Sequence, residues 1–174
     1  MFQGFFSVPL QAEEASIRDL LVTNNATHVL LYARIANSFT KEIEAAILAG
    51  VPTTFTFVVE LFQEQPGWPD KRLVHLTVRH TIKYDNVKRL FHVTFDGQKE
   101  PTSFQDYEGA KRAMADLNGL PVAPLKTLKR GEYYYAQIKA MLDKVRLPLH
   151  MEYIFFFVSL WDFETDWYRE GFFY

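Results

Sequence analysis

A strict alternation of apolar and polar side chains constrains the fold of this chain more than any other sequence feature. It runs through residues 72–84, where the odd positions are mostly polar. The even positions carry apolar or ring side chains and are Val74, Leu76, Val78, His80, Ile82 and Tyr84. Because successive side chains of a β-strand point to opposite faces, this period of two predicts a strand with one buried and one solvated face.

A turn and a second alternating segment follow directly. Asp85 and Asn86 are typical turn residues, and Phe91, Val93 and Phe95 then alternate with more polar neighbours. Two alternating segments joined by a short turn predict an antiparallel hairpin.

The same alternation marks further strands. It is found in residues 29–35, 55–61 and 134–142 and more weakly in residues 17–23, and residues 169–174 are a further candidate. The 16 Phe, 9 Tyr and 3 Trp of the chain also favour the half-buried surfaces that sheets provide.

A first short helix is predicted between these strands. Thr40 is expected to cap it, with Glu42 and Glu44 in the first turn, where the helix dipole favours negative charge. Gly50 is expected to end this helix, and Pro52 prevents its continuation.

A second helix is predicted after the hairpin. Ser103 is its expected cap, with Asp106 in the first turn, and Asn118 and Gly119 are expected to end it. The prolines and lysines of residues 120–131 then indicate a loop.

These elements define the predicted fold. The length of 174 residues suits one domain. We predict a mainly β structure, an antiparallel immunoglobulin-like β-sandwich that spans residues 15–174 and has about seven strands with two or three short inserted helices. Residues 148–163 are compatible with a buried helix or a buried strand, because periodicity does not separate the two in a short apolar run; a helix or irregular segment is favoured.

The amino-terminal segment indicates export. Residues 1–12 are largely apolar, and Ala12 precedes Glu13 and Glu14, a pattern similar to the end of a secretory signal with a small-residue cleavage site. We expect a protein exported to the periplasm or cell envelope, with residues 1–14 as a signal-peptide remnant; a flexible arm is the alternative. No transmembrane segment is predicted, because the longest apolar run, residues 153–161, falls short of the roughly 20 residues that a span requires.

Charge and cysteine content exclude several classes of function. The formal net charge is −2, and Lys126, Lys129 and Arg130 are too sparse to form a nucleic-acid surface, so no nucleic-acid partner is expected. The chain has no cysteine, which excludes disulfides, thiolate zinc sites and a cysteine nucleophile.

No combination of residues indicates a catalytic or metal site. His75 and His80 are an odd number of positions apart, so one strand directs them to opposite faces and they cannot share a metal ion there. Glu60 and Glu64 are expected on a solvated strand end rather than as an acid–base pair. The sequence has no nucleophile elbow and no glycine-rich phosphate loop. We therefore predict no catalytic residue, no metal and no cofactor, and we do not expect an enzyme.

An aromatic and acidic segment near the carboxyl end is the candidate binding surface. It consists of Trp161, Asp162, Asp166, Trp167 and Tyr168. The first interpretation of its aromatic residues is that they are buried anchors of the sandwich. The alternative is a patch that binds a partner or stacks on a ligand, because exposed aromatic residues mark interfaces.

Several segments, in their order and spacing, resemble the bacterial family known as domain of unknown function 4390. The resemblance covers roughly residues 15–174 and rests on Gly50-Val51-Pro52, residues 55–61, Trp68, Asp70, residues 82–86, the Ser103 helix, residues 131–135, Leu142-Asp143, Leu147-Pro148, Ser159, Trp161 and residues 166–168. It implies an exported protein with no established activity and no catalytic residues to transfer. The apolar residues 154–157 depart from the more polar segment typical of the family.

The expected function is therefore a non-catalytic protein-interaction domain that binds another protein of the cell envelope. The alternative is a carrier of an apolar small ligand, with aromatic side chains lining a cavity between the sheets. A hydrolase is the least favoured alternative, because it requires carboxylate or imidazole groups that converge in a pocket.

Overall fold

The computed structural model describes residues 14–143 and 163–174. The expected signal remnant or arm therefore lies outside the described residues except for Glu14. The ambiguous segment of residues 148–163 also lies outside them except for Phe163.

The described residues form nine strands in two antiparallel sheets. In chain order they are β1 (Ser16–Asn24), β2 (His28–Ala36), β3 (Thr53–Gln63), β4 (Lys71–Asp85), β5 (Leu90–Phe95), β6 (Thr102–Phe104), β7 (Asp116–Pro124), β8 (Tyr133–Leu142) and β9 (Tyr168–Phe173). The small sheet has the order β1-β2-β7 and the large sheet the order β6-β5-β4-β3-β8-β9. The prediction of a mainly β, antiparallel, sandwich-like fold is confirmed, although the described strands outnumber the seven expected.

The centre of the large sheet follows the alternation in the sequence. Phe57 of β3 pairs with Val78 of β4 on one side and with Ala140 of β8 on the other. The core-facing side chains of β3 have no solvent exposure and are Phe55, Phe57, Val59 and Leu61. Burying such a side chain contributes about 1.5–3 kcal/mol relative to leaving it exposed, so these strands anchor the core.

The small sheet covers the core from the other side, with Val29, Leu31, Ala33 and Ile35 of β2 facing inward. Its third strand, β7, corrects the prediction of a loop for residues 120–131, because the strand continues to Pro124 and pairs with β2. The loop was predicted because prolines are common in loops. β7 is an edge strand with two irregularities in its pairing, and prolines are tolerated at such edges and bulges.

The first helix confirms its prediction. α1 (Lys41–Leu48) begins after Thr40, whose Oγ1 accepts a hydrogen bond of 3.3 Å from the backbone N–H of Ile43. Gly50 follows with a φ of 84°, in the left-handed region that glycine adopts without a steric penalty.

The second helix begins later and ends earlier than predicted. α2 (Tyr107–Ala115) is capped by Asp106, whose Oδ1 accepts a hydrogen bond of 2.6 Å from the N–H of Gly109. Ser103 is instead part of β6, and Gly119 lies in β7. Both Ser and Asp favour the cap position, so residue type alone does not choose between them.

The two ends of the sandwich are closed by different elements. α2 contacts β4, β5, β6 and β2 and so covers the core beside one end of the large sheet. At the other end the edge strands β1 and β9 lie against each other. Among the described residues, none of the helices has both the length and the apolar character needed to cross a membrane.

Candidate functional site

A cleft of about 610 Å³ lies where the edge strands β1 and β9 begin. Residues 14–17 form one wall, the connection from β2 to α1 contributes Asn37, Ser38 and Thr40, and the segment of residues 163–168 supplies the opposite wall. The cleft therefore joins parts of both sheets at the open side of the sandwich.

Hydrogen bonds to β8 hold the wall of residues 163–168 in place. Thr165 is buried; its N–H donates to the carbonyl oxygen of Ala140 at 2.8 Å, and its Oγ1 accepts from the N–H of Ala140 at 3.0 Å. The N–H of Leu142 donates to the carbonyl oxygen of Phe163 at 3.0 Å, and the Phe163 ring packs at 5.3 Å from the Phe55 ring. Buried Thr165 thus alternates with the exposed Glu164 and Asp166.

The structure places three residues of the predicted surface together at this cleft. Asp166, Trp167 and Tyr168 all line it, while Trp161 and Asp162 lie outside the described residues. The Trp167 and Tyr168 side chains are 42% and 45% exposed. The first interpretation, that they are buried anchors, is therefore wrong for these two aromatic residues. We name them the aromatic lip.

The remaining aromatic residues of the carboxyl end divide between core and surface. The Phe172 ring stacks on the Tyr134 ring with 5.8 Å between centroids and belongs to the core. Phe173 is exposed and contacts Tyr133 at the far end of β9 from the cleft. One short segment therefore contains both anchors and surface residues.

The described lining of the cleft carries negative charge only. Glu14, Glu164 and Asp166 are exposed carboxylates, and none of the described lining residues is Lys, Arg or His. Lys139 of β8 approaches from outside the lining, forms an ion pair with Glu164 and lies 5.2 Å from the centre of the Trp167 ring. The rim of the cleft, which consists of Glu14, Glu164, Asp166 and Trp167, thus already holds one ammonium group between a carboxylate and an indole.

Two hydroxyl groups in the cleft walls have no hydrogen-bond partner among the described residues. The Oγ atoms of Ser16 and Ser38 are buried and have no hydrogen-bond partner in the part of the chain that the structure describes. Ser38 is only 2% exposed as a residue. An unsatisfied buried hydroxyl costs about 1–3 kcal/mol, and a ligand would recover part of that cost where a small movement of the wall let it reach the hydroxyl.

A polar network on the outer face of the large sheet was not predicted from the sequence. Glu60 is buried rather than solvated, and its carboxylate accepts hydrogen bonds from Arg72 at 2.9 Å, His75 at 3.0 Å and Gln137 at 2.7 Å. Burial by itself raises the pKa of Glu60, but the bonds from His75, Gln137 and Arg72 outweigh burial and lower the pKa below its ordinary value. Strand alternation places Glu60 outward, but only the register of β4 and β8 brings these donors to it.

The histidines on β4 face opposite sides, as the odd spacing predicts. His80 is buried, with Nδ1 3.0 Å from the carbonyl oxygen of Met114, whereas His75 is half exposed beside Glu60. Within residues 14–143 and 163–174, no three His, Asp or Glu side chains are grouped so that they could hold a metal ion.

Two facing antiparallel sheets, with a cleft between their edge strands, define a mainly β, sandwich-like protein. The chain belongs to the family described as "Domain of unknown function (DUF4390)", whose sequence model matches residues 12–170. The resemblance found in the sequence is thereby confirmed. No curated protein and no solved structure matches the chain.

Proposed function

We propose that this chain is a non-catalytic protein-interaction domain and that it binds another protein of the bacterial cell envelope through the cleft. The observation that carries the proposal is the exposure of Trp167 and Tyr168 side by side at the mouth of a formed cleft. Tryptophan and tyrosine dominate binding hot spots, because they bury a large area at a small cost in side-chain entropy.

The backbone around the cleft also favours a protein partner. β1 and β9 each form one edge of their sheet, and the cleft lies where both begin. An edge strand offers unpaired N–H and C=O groups, with which an extended segment of another protein can pair.

A structural role for the bonded polar groups supports a non-catalytic function. Glu60 of β3 joins side chains of the two neighbouring strands β4 and β8, and His80 joins β4 to α2. Their hydrogen bonds stabilise the sheet and the core, and neither group lines the cleft.

A carrier of a small ligand is the second candidate, and the volume of the cleft favours it. About 610 Å³ falls within the roughly 300–1,000 Å³ of small-molecule sites. The carboxylates of Glu14 and Asp166 make the cleft a poor environment for an entirely apolar ligand. Native mass spectrometry of freshly purified protein distinguishes this candidate, since a carrier retains a bound small molecule.

Site-specific photo-crosslinking tests the proposal. We expect Tyr168→p-benzoylphenylalanine to capture one defined envelope protein in the native host, and Trp167→Ala in the same chain to abolish the capture. Trp68→Ala is the matched control, because Trp68 is an exposed tryptophan in the β3–β4 turn, outside the cleft. Capture of no protein, or capture unaffected by Trp167→Ala, would contradict the proposal.

Localisation is tested separately. We expect cell fractionation of the native host to recover the protein with the periplasm or envelope. Recovery of a form that retains Met1 in the cytoplasm would contradict the envelope part of the proposal and leave the cleft itself untouched.

A further inference from the structure

We propose that the cleft binds an extended segment of its partner that contains lysine or arginine. This inference rests on the proposed function and specifies the chemistry of the segment that enters the site. It combines the charge of the rim, the contact that Lys139 makes there, and the unpartnered hydroxyls of the walls.

The charge of the rim selects a cation. Glu14 and Asp166 are exposed carboxylates on opposite walls, and no ion pair links either one to a described residue. The described lining contains no basic side chain that would neutralise them. A cationic partner is therefore attracted and an anionic one repelled, which affects both the rate of association and specificity.

Lys139 shows how the rim accommodates an ammonium group. Its Nζ pairs with Glu164 and lies 5.2 Å from the centre of the Trp167 ring. A cation over an aromatic face is attracted by the negative potential of the ring face. Tyr168 and Asp166 follow and precede Trp167 on the same wall and offer an incoming lysine or arginine the same two kinds of group, an aromatic ring and a carboxylate.

The walls favour a polypeptide over a free polyamine. The Oγ atoms of Ser16 and Ser38 have no partner among the described residues, and a hydroxyl both donates and accepts. A peptide backbone supplies the matching C=O and N–H groups, whereas a polyamine supplies donors only.

Peptide titration against the full chain tests this inference. The probes are three blocked ten-residue peptides that alternate threonine with lysine, glutamine or glutamate, and spermine is the free cation. At low ionic strength we expect the lysine peptide to bind at least about tenfold more tightly than the glutamine peptide, and its affinity to fall with salt as exposed charges are screened. We expect spermine, at equal charge concentration, not to displace it.

Charge-neutral variants locate the binding. We expect Glu14→Gln with Asp166→Asn to weaken the lysine peptide about tenfold, and Ser38→Ala to weaken it severalfold. The matched control is Glu64→Gln with Glu132→Gln, two exposed acids outside the cleft, which we expect to leave binding unchanged.

Three results would overturn the inference: equal affinity for the three peptides, equal loss in the matched control, or full displacement by spermine. Its failure is distinguishable from failure of the proposed function. If Trp167→Ala abolishes crosslinking while the neutralised rim does not, the partner binds the cleft without a basic segment. If neither change affects crosslinking, the cleft is not the interaction site.

Discussion

The Nδ1 atom of His80 lies 3.0 Å from the carbonyl oxygen of Met114 and joins β4 to the last turn of α2. Because a carbonyl oxygen only accepts, Nδ1 carries the proton in this bond. The ring packs between Phe57 and Phe95, with 5.0 Å and 4.7 Å between ring centroids. Burial lowers the pKa of His80, and the bond to Met114 only partly offsets this effect. At neutral pH the folded protein therefore holds a neutral imidazole at this position.

This arrangement predicts a loss of stability on mild acidification. The folded-state pKa of His80 is below its ordinary value of 6.5, so below pH 6.5 the unfolded chain binds the proton more tightly than the folded chain. The contribution of the neutral His80 ring to the free energy of unfolding is complete above pH 6.5. It is lost as the pH falls towards the folded-state pKa, by at most about 1.4 kcal/mol per pH unit. Urea unfolding between pH 7.5 and 5 measures it.

His80→Gln is the control for that experiment, because glutamine does not titrate. We expect the variant to be less stable than the natural chain at pH 7.5 but to lose less stability on acidification. Parallel pH profiles for the two proteins would show that His80 does not cause the effect.

Loss of the Glu60 carboxylate is expected to weaken the centre of the large sheet. Glu60→Leu leaves Gln137 without its acceptor and removes the partner of Arg72 and His75. Hydrogen bonds to charged groups contribute about 1.5–3 kcal/mol, and Arg72 and His75 are half exposed and regain water, so we expect a loss of about 2 kcal/mol. Chemical denaturation of the variant at pH 7 measures this loss.

Glu64→Gln is the matched control, since Glu64 is exposed just beyond the end of β3. We expect it to change the free energy of unfolding by less than about 0.5 kcal/mol. A Glu60→Leu variant as stable as this control would refute a stabilising role for the network.

The aromatic lip is expected to tolerate truncation. Trp167 is half exposed, so Trp167→Ala should cost less than about 1 kcal/mol. Phe57→Ala, at a position with no exposure, should cost about 3–5 kcal/mol because it leaves a cavity in the core. Thermal melts of the two variants compare them directly, and a large drop in midpoint for Trp167→Ala would restore the interpretation of Trp167 as a buried anchor.

The start of α2 provides a comparison between two candidate caps. Asp106→Ala removes the acceptor for the N–H of Gly109, and we expect it to cost about 1 kcal/mol. Ser103→Ala removes only an exposed contact with His92 and should cost less. The free energies of unfolding of the two variants decide between them, and the reverse order would support the cap predicted from the sequence.

Most strands were predictable because their burial is one-sided. In β3 and β4 the alternation identified the buried face, and the turn at Asp85 identified the hairpin. β7 was missed because its prolines satisfy the usual description of a loop, and only pairing with β2 makes them part of an edge strand. The start of α2 was placed at Ser103 because both candidate caps have suitable side chains.

The candidate site was only partly predictable. The sequence marked Asp166, Trp167 and Tyr168 as a group, because aromatic and acidic residues are adjacent there. It did not indicate Ser16 or Ser38, which come from the other side of the fold and meet that group only across the open side of the sandwich.

The amino-acid sequence by itself determined the period of each strand and the face that each strand buries, since these depend on neighbours one or two positions apart. Tertiary structure alone decided which strands are adjacent, and with that the environment of Glu60, His80 and the aromatic lip. These environments are set by contacts between residues distant in the chain, and no local pattern of side chains encodes them.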